Sequence, residues 1–269
     1  MTLTRKKYIT KEKNHELAGG PSVRLLFGIL IALVFVARPA ASAFLEPLLG
    51  DSTTWRYKLT FNVLTPDGVK SASSVVEIKS EVSGSFWKTG VADHVNGEAL
   101  YLDLGTGRRP IVALLVRPTE LRRWRTNTRW GEESPSGLLR YLMGITHKPN
   151  YNYQTDFLDE IRRMKSNKGI YQVEPRDLPD LVTFADVADP NSVMVVDGEH
   201  LDATLGPDVA WQSITIQIVD EPVTKGIQEK LPWLKPMKND AHLDGDCCEV
   251  YAKHNLSNKL QQHNFMFPY

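Results

Sequence analysis

The chain has 269 residues, with 32 Lys+Arg against 32 Asp+Glu, 42% hydrophobic and 24% charged residues, two cysteines and a mean hydropathy of -0.29. These values exclude a collagen-like, coiled-coil, disulfide-scaffold or fully disordered chain, and a polytopic membrane protein. The length suits one large domain or two small ones with a core of their own.

The zero net charge is an average over two unlike parts. Residues 1–43 carry seven cations (Arg5, Lys6, Lys7, Lys11, Lys13, Arg24, Arg38) against Glu12 and Glu16, so from Phe44 onward 25 Lys+Arg face 30 Asp+Glu. That balance carries no nucleic-acid footprint. Within the basic part, Leu25 to Ala37 (LLFGILIALVFVA) is an uninterrupted apolar run of thirteen, followed by Arg38, Pro39 and Ala41-Ser42-Ala43. A basic stretch, a short apolar run and a small-x-small site are the pattern of a secretory signal peptide, with cleavage after Ala43. The rival is an uncleaved single anchor from Leu25 to about Leu45, with Arg38 reaching the interface and membrane contact through Leu25 to Ala37. Either way the basic side stays in the cytosol and the rest is exported across the inner membrane into the periplasm.

In the exported part, Trp55, Tyr57, Leu59, Phe61 and Val63 alternate with polar residues and predict a half-buried strand. Thr65-Pro66-Asp67-Gly68 is a turn, so residues 69–79 should return as an antiparallel partner. A second hairpin is expected from residues 98–104 and 111–117, the latter so apolar that it should lie inside the sheet. Helices are predicted over residues 137–143, capped by Ser136, and 157–164, capped by Thr155 or Asp156. Strands follow at residues 181–185, 192–196 and 211–219. Short helices are expected within residues 198–205 and, capped by Thr224, at residues 225–231. The pattern is α+β, a mostly antiparallel sheet built from N-terminal hairpins, with helices in the middle and further strands in the C-terminal half. The expected organisation is an export segment (1–43), a single exported α+β domain (44–234) and a polar tail (235–269).

Candidate chemistry is sparse. Ser85-Phe86-Trp87-Lys88 and Lys88-Thr89-Gly90 match the S-x-x-K and K-T-G patterns of penicillin-interacting enzymes. One lysine cannot serve both, and the stretch is read as a turn. G-x-S-x-G, H-E-x-x-H, Walker and Rossmann patterns are absent from the sequence. Asp240, His242 and Asp244 before Gly245 have the alternation of a calcium loop, but His242 stands where an oxygen belongs and Tyr251 where the closing Glu belongs. A softer ion held by His242, Cys247, Cys248 and His254 is chemically allowed. A solvated acidic tail is the reading adopted, so no catalytic, cofactor-binding or metal residue is assigned. Arg117, Arg122, Arg123, Arg125 and Arg129 interleave with Trp124 and Trp130. For an exported chain this region suits an anionic envelope component or an acidic protein, not nucleic acid. His94, His147 and His200 show no ligand spacing.

The stretch from Leu178 through Asp189-Pro190, then Val195-Val196-Asp197, Leu201, Leu205-Gly206-Pro207 and Ile214 to Thr224, resembles a group of bacterial exported or membrane-anchored proteins of unknown function. Ser52-Thr53-Thr54-Trp55-Arg56-Tyr57 and Gly97-Glu98-Ala99 add to it. The resemblance covers most of residues 52–234 and implies an exported single domain without naming a reaction. The function expected is a non-enzymatic cell-envelope binding or structural module. The alternative is an envelope hydrolase with a site assembled from dispersed residues.

Overall fold

A computed structural model describes residues 51–85, 88–115, 129–238, 241–246 and 255–267. Its fold is α+β, built on two antiparallel sheets. The alternating strand is β1, Ser52–Thr65, whose odd-numbered residues from Trp55 to Val63 are all buried. Pro66 and Asp67 turn it into β2, Gly68–Ser85, in unbroken register from Thr65↔Gly68 to Ser52↔Glu81. A further strand, β3 (Lys88–Asn96), pairs with β2 where the sequence suggested only a turn.

β4 (Leu100–Leu102) and β5 (Ile111–Ala113) form the second hairpin, shorter than expected. Two helices follow. α1, Arg129–Leu142, begins eight residues before the predicted start and contains Pro135, so Ser136 is an interior residue and not a cap. α2, Tyr153–Ser166, likewise starts ahead of its predicted caps. The remaining elements are β6 (Ile170–Gln172), β7 (Leu181–Phe184), β8 (Val193–Val196), α3 (Leu201–Leu205), β9 (Ala210–Val219) and α4 (Ile227–Lys230). Thr224 does not cap α4. Gly226, at φ 119°, does so by its backbone, a conformation that suits glycine alone.

The larger sheet has the order β3-β2-β1-β9-β6 and the smaller β4-β5-β7-β8. One face of the larger sheet presents Trp55, Tyr57, Leu59, Phe61, Ile78, Ile214, Ile216 and Ile218 to the core, where Phe157, Leu158, Ile161 and Met164 of α2 meet them. A register shift between Asn62 and Val63 turns Trp211 inward, its ring edge-on to Phe61 at 4.9 Å. The opposite face carries Arg56, Lys58, Thr60 and Asn62, none of them buried.

The smaller sheet is buried on both sides. Leu100, Leu102, Ile111, Ala113 and Leu181 join the first core, while Val112, Leu114, Val182, Phe184 and Val193 join a second. That is why residues 111–115 read as a continuous apolar run. The second core is closed by Leu243, Leu260, Phe265 and Met266, all from the stretch that the sequence reading takes as a polar tail. The backbone ties it down: Ala99 N donates to Phe265 O (2.7 Å), and Leu115 N to Asn264 O (2.7 Å). Where it is described, this segment belongs to the fold.

Among the described residues no helix is long and apolar enough to cross a membrane. The apolar run at residues 25–37 lies outside them.

Candidate functional site

One opening lies where β1 runs on past its neighbour β9. β2 accompanies β1 over its whole length, whereas β9 pairs only from Arg56↔Val219 to Leu64↔Ala210. Among the described residues, 52–55 therefore have a strand on one side only. Beside them lies a shallow open groove of about 220 Å³, lined by Thr54, Trp55, Arg56, Glu77, Ile218, Val219, Asp220 and, from the last turn of α2, Lys165. Arg56 is bound to Glu77 (Nη2 to Oε2, 2.7 Å), Lys58 to Glu221 (3.0 Å) and Lys168 to Asp220 (2.9 Å). Burial pushes the Glu77 carboxyl up, but hydrogen bonds from Arg56 and Asn96 outweigh it and hold the group below its ordinary value. Lys165 is exposed and has no ion-pair partner among the described residues. The groove's uncompensated charge is therefore positive. By contrast, the cavity between the two sheets, beside Tyr57, Ser74, Glu98 and Leu114, has about 10 Å³, room for about one water.

Three polar clusters are built into the core. Trp55 Nε1 donates to Ser80 Oγ (3.0 Å), Ser80 Oγ to Asp93 Oδ1 (2.5 Å), and Ser136 Oγ to Asp93 Oδ2 (3.0 Å). One carboxylate thus joins β1, β2, β3 and α1. Glu98 reaches α4, its Oε2 accepting from Ile227 N (2.7 Å). Burial raises this carboxyl above its ordinary value, and the Ile227 and Gly226 N–H groups only partly offset that.

The third cluster centres on Glu160, 1% exposed. Arg140 Nη1 lies 3.1 Å from its carboxylate, His147 Nδ1 3.2 Å and Arg163 3.9 Å, with the Arg140 guanidinium 5.9 Å above the Phe157 ring. An imidazole oriented by a buried carboxylate supplies two of the three members of a hydrolytic triad. Here two arginines share that carboxylate, the His147 ring packs on Tyr151 at 4.0 Å, and no hydroxyl or thiol among the described residues bonds to the imidazole. The arrangement locks the connection between α1 and α2.

The residues singled out in the sequence are not brought together. Ser85 and Lys88 pair across the β2–β3 turn and not on a helix, which removes the S-x-x-K reading. In the acidic stretch, His242 N donates to Asp246 O and Gly245 N to His242 O, while Asp244 accepts from Asp246 N and Asn258 Nδ2. The Asp244 carboxylate is thus consumed within a turn. Asp240, Cys247, Cys248, Tyr251 and His254 lie outside the described residues, as do Arg117, Arg122, Arg123, Arg125 and Trp124. Arg129 opens α1. His94 pairs with Glu81 on the surface (3.0 Å). Among the described residues no three His, Cys, Asp or Glu side chains are grouped to share a metal ion. The groove-lining residues Lys165, Glu77 and Asp220 were missed.

The C-terminal segment holds one histidine with a shifted titration. His263 sits below the ordinary imidazole value because burial disfavours its charge, and nearby His242 adds to this. The folded state then binds a proton less readily than the unfolded one. Stability from this group is present above about pH 6.5 and is lost as the pH falls through that value. Thermal unfolding at intervals between pH 7.5 and 5 should show this decline, and His263→Gln should flatten it. An unchanged slope in the variant refutes the assignment.

Compared with protein-family models, with curated proteins and with solved structures, the chain matches none.

Proposed function

We propose that the chain is an exported cell-envelope binding module that meets its partner at the open groove beside β1, and not within an enclosed cavity. Export rests on the basic segment, the apolar run at residues 25–37 and the Ala41-Ser42-Ala43 site. The observation that carries the binding reading is the groove itself: solvent-open, about 220 Å³, with paired charges along its walls and one uncompensated lysine. Shallow surfaces with charged rims suit macromolecular partners, whereas small-molecule sites are enclosed and largely apolar.

The test places a photo-crosslinking amino acid in the full chain at Thr54, beside the groove, or at Ser71, an exposed position toward the other end of the larger sheet. The expected result is a discrete crosslinked envelope product from position 54 alone, on a periplasmic or membrane-attached protein. Equal products from both positions, or none from either, sink the reading. Mass spectrometry of the same material reports whether the N-terminus is Phe44 or retains residues 25–37.

A further inference from the structure

The groove is more than a depression, because it runs beside the end of β1 that β9 does not reach. In an antiparallel sheet successive residues direct their N–H and C=O groups alternately to the two neighbours. Residues 52–55 have β2 on one side, through Ser52↔Glu81 to Trp55↔Ile78, and, among the described residues, no strand on the other. β9 does not continue along them. Past Val219 the chain leaves the sheet, and Thr224 docks on the far edge of β2, its N donating to Val75 O (3.0 Å) and its Oγ1 accepting from Val75 N (2.9 Å). The vacant edge is four residues long, about 13 Å at strand rise.

Its flanks narrow the class of occupant. Arg56, Lys58 and Lys168 each face a carboxylate, so their charges are compensated, while Lys165 at the groove wall is not. Ile218 and Val219 supply aliphatic surface at the end where β9 stops. A segment that fills this space needs backbone donors and acceptors along one edge and an acidic side chain opposite Lys165.

We propose that residues 52–55 accept an extended acidic peptide of a partner protein as an added strand, antiparallel to β1 and in line with β9. Strand addition to an exposed sheet edge draws affinity from main-chain hydrogen bonds and specificity from flanking side chains. This proposal rests on the groove being the binding surface, but it is separable from that reading because it specifies how the partner's backbone is used.

The probes are an octapeptide of alternating Val and Glu, its Val and Lys counterpart, and the acidic peptide N-methylated at alternate amides on either edge in turn. Isotope-labelled protein is titrated and the amide signals of residues 52–55 followed. The acidic peptide should shift these signals and slow their hydrogen exchange. N-methylation of one edge should abolish both effects, and methylation of the other should leave them intact. Lys165→Glu should weaken the acidic peptide roughly three- to tenfold and favour the lysine counterpart. Equal binding with either edge methylated overturns strand addition while leaving the groove as a binding surface. No response of residues 52–55 to millimolar acidic peptide overturns it as well, whatever the crosslinking at position 54 shows.

Discussion

Replacing Phe265 with alanine should destabilise the protein by about 3–5 kcal/mol, the range for truncating a fully buried aromatic. Phe265 is 0% exposed, with its ring 5.5 Å from Trp233 and 6.4 Å from Phe184. The substitution opens a cavity against the outer face of the smaller sheet, where Val112, Leu114, Val182 and Phe184 rely on this segment for cover. Ending the chain at Lys238 should be more severe, since it removes Leu243, Leu260 and Met266 too and exposes an apolar sheet face of the kind that drives aggregation. Urea unfolding checks the point variant. A midpoint within experimental error of the parent means residues 239–269 are an appendage and do not close the second core.

Glu160→Ala should cost a similar amount, about 3–5 kcal/mol, for a different reason. Glu160 is 1% exposed and Arg140 is only 15% exposed in its side chain, so removing the carboxylate leaves a guanidinium in a poorly hydrated place with no counter-charge. The penalty comes from the stranded partner more than from the lost attraction. The double variant Arg140→Met, Glu160→Leu should therefore recover most of the loss, because similar volume is kept and neither charge is buried. If the double variant is as unstable as the single one, packing around Phe157 and not the ion pair dominates this corner. His147, half exposed beside the same carboxylate, should lose its hold on the connection in Glu160→Ala, and its ring signals in the NMR spectrum would move toward those of a free histidine.

How much of this was legible depended on whether the cause of each element was local. β1 shows in the sequence because one face is core and the other solvent, which forces strict alternation, and Thr65-Pro66-Asp67-Gly68 sets its turn. β3 does not show. Lys88–Asn96 contains Gly90, Asp93 and His94, poor strand formers, and it is a strand because the long β2 offers an edge and Ser80 and Ser136 satisfy Asp93. α1 begins before its apolar residues do, so the cap sought at Ser136 fell inside the helix. The C-terminal segment was misread because its core residues Leu243, Leu260, Phe265 and Met266 fall outside the short 3₁₀ turns Leu256–Asn258 and Gln262–Asn264, at spacings with no period to detect. A non-local sign was present: residues 111–115 and 181–184 are apolar at both parities, so each face of their sheet required a cover, and the sequence up to residue 234 offered too little of one. The groove was invisible for a similar reason. It depends on where β9 stops relative to β1, which is a matter of pairing register and not of composition.

The closure of the smaller sheet by residues 243–266 also sets an order of events in time. A ribosome delivers β4, β5, β7 and β8 long before Phe265 and Met266, and until those two residues emerge the outer face of that sheet has no lid. The larger sheet lacks this delay only in part, since β1 waits for β9 but not for the terminus. The smaller sheet therefore stays open until residues 265 and 266 have emerged. If the chain is exported as proposed above, this delay keeps the domain open for passage across a membrane.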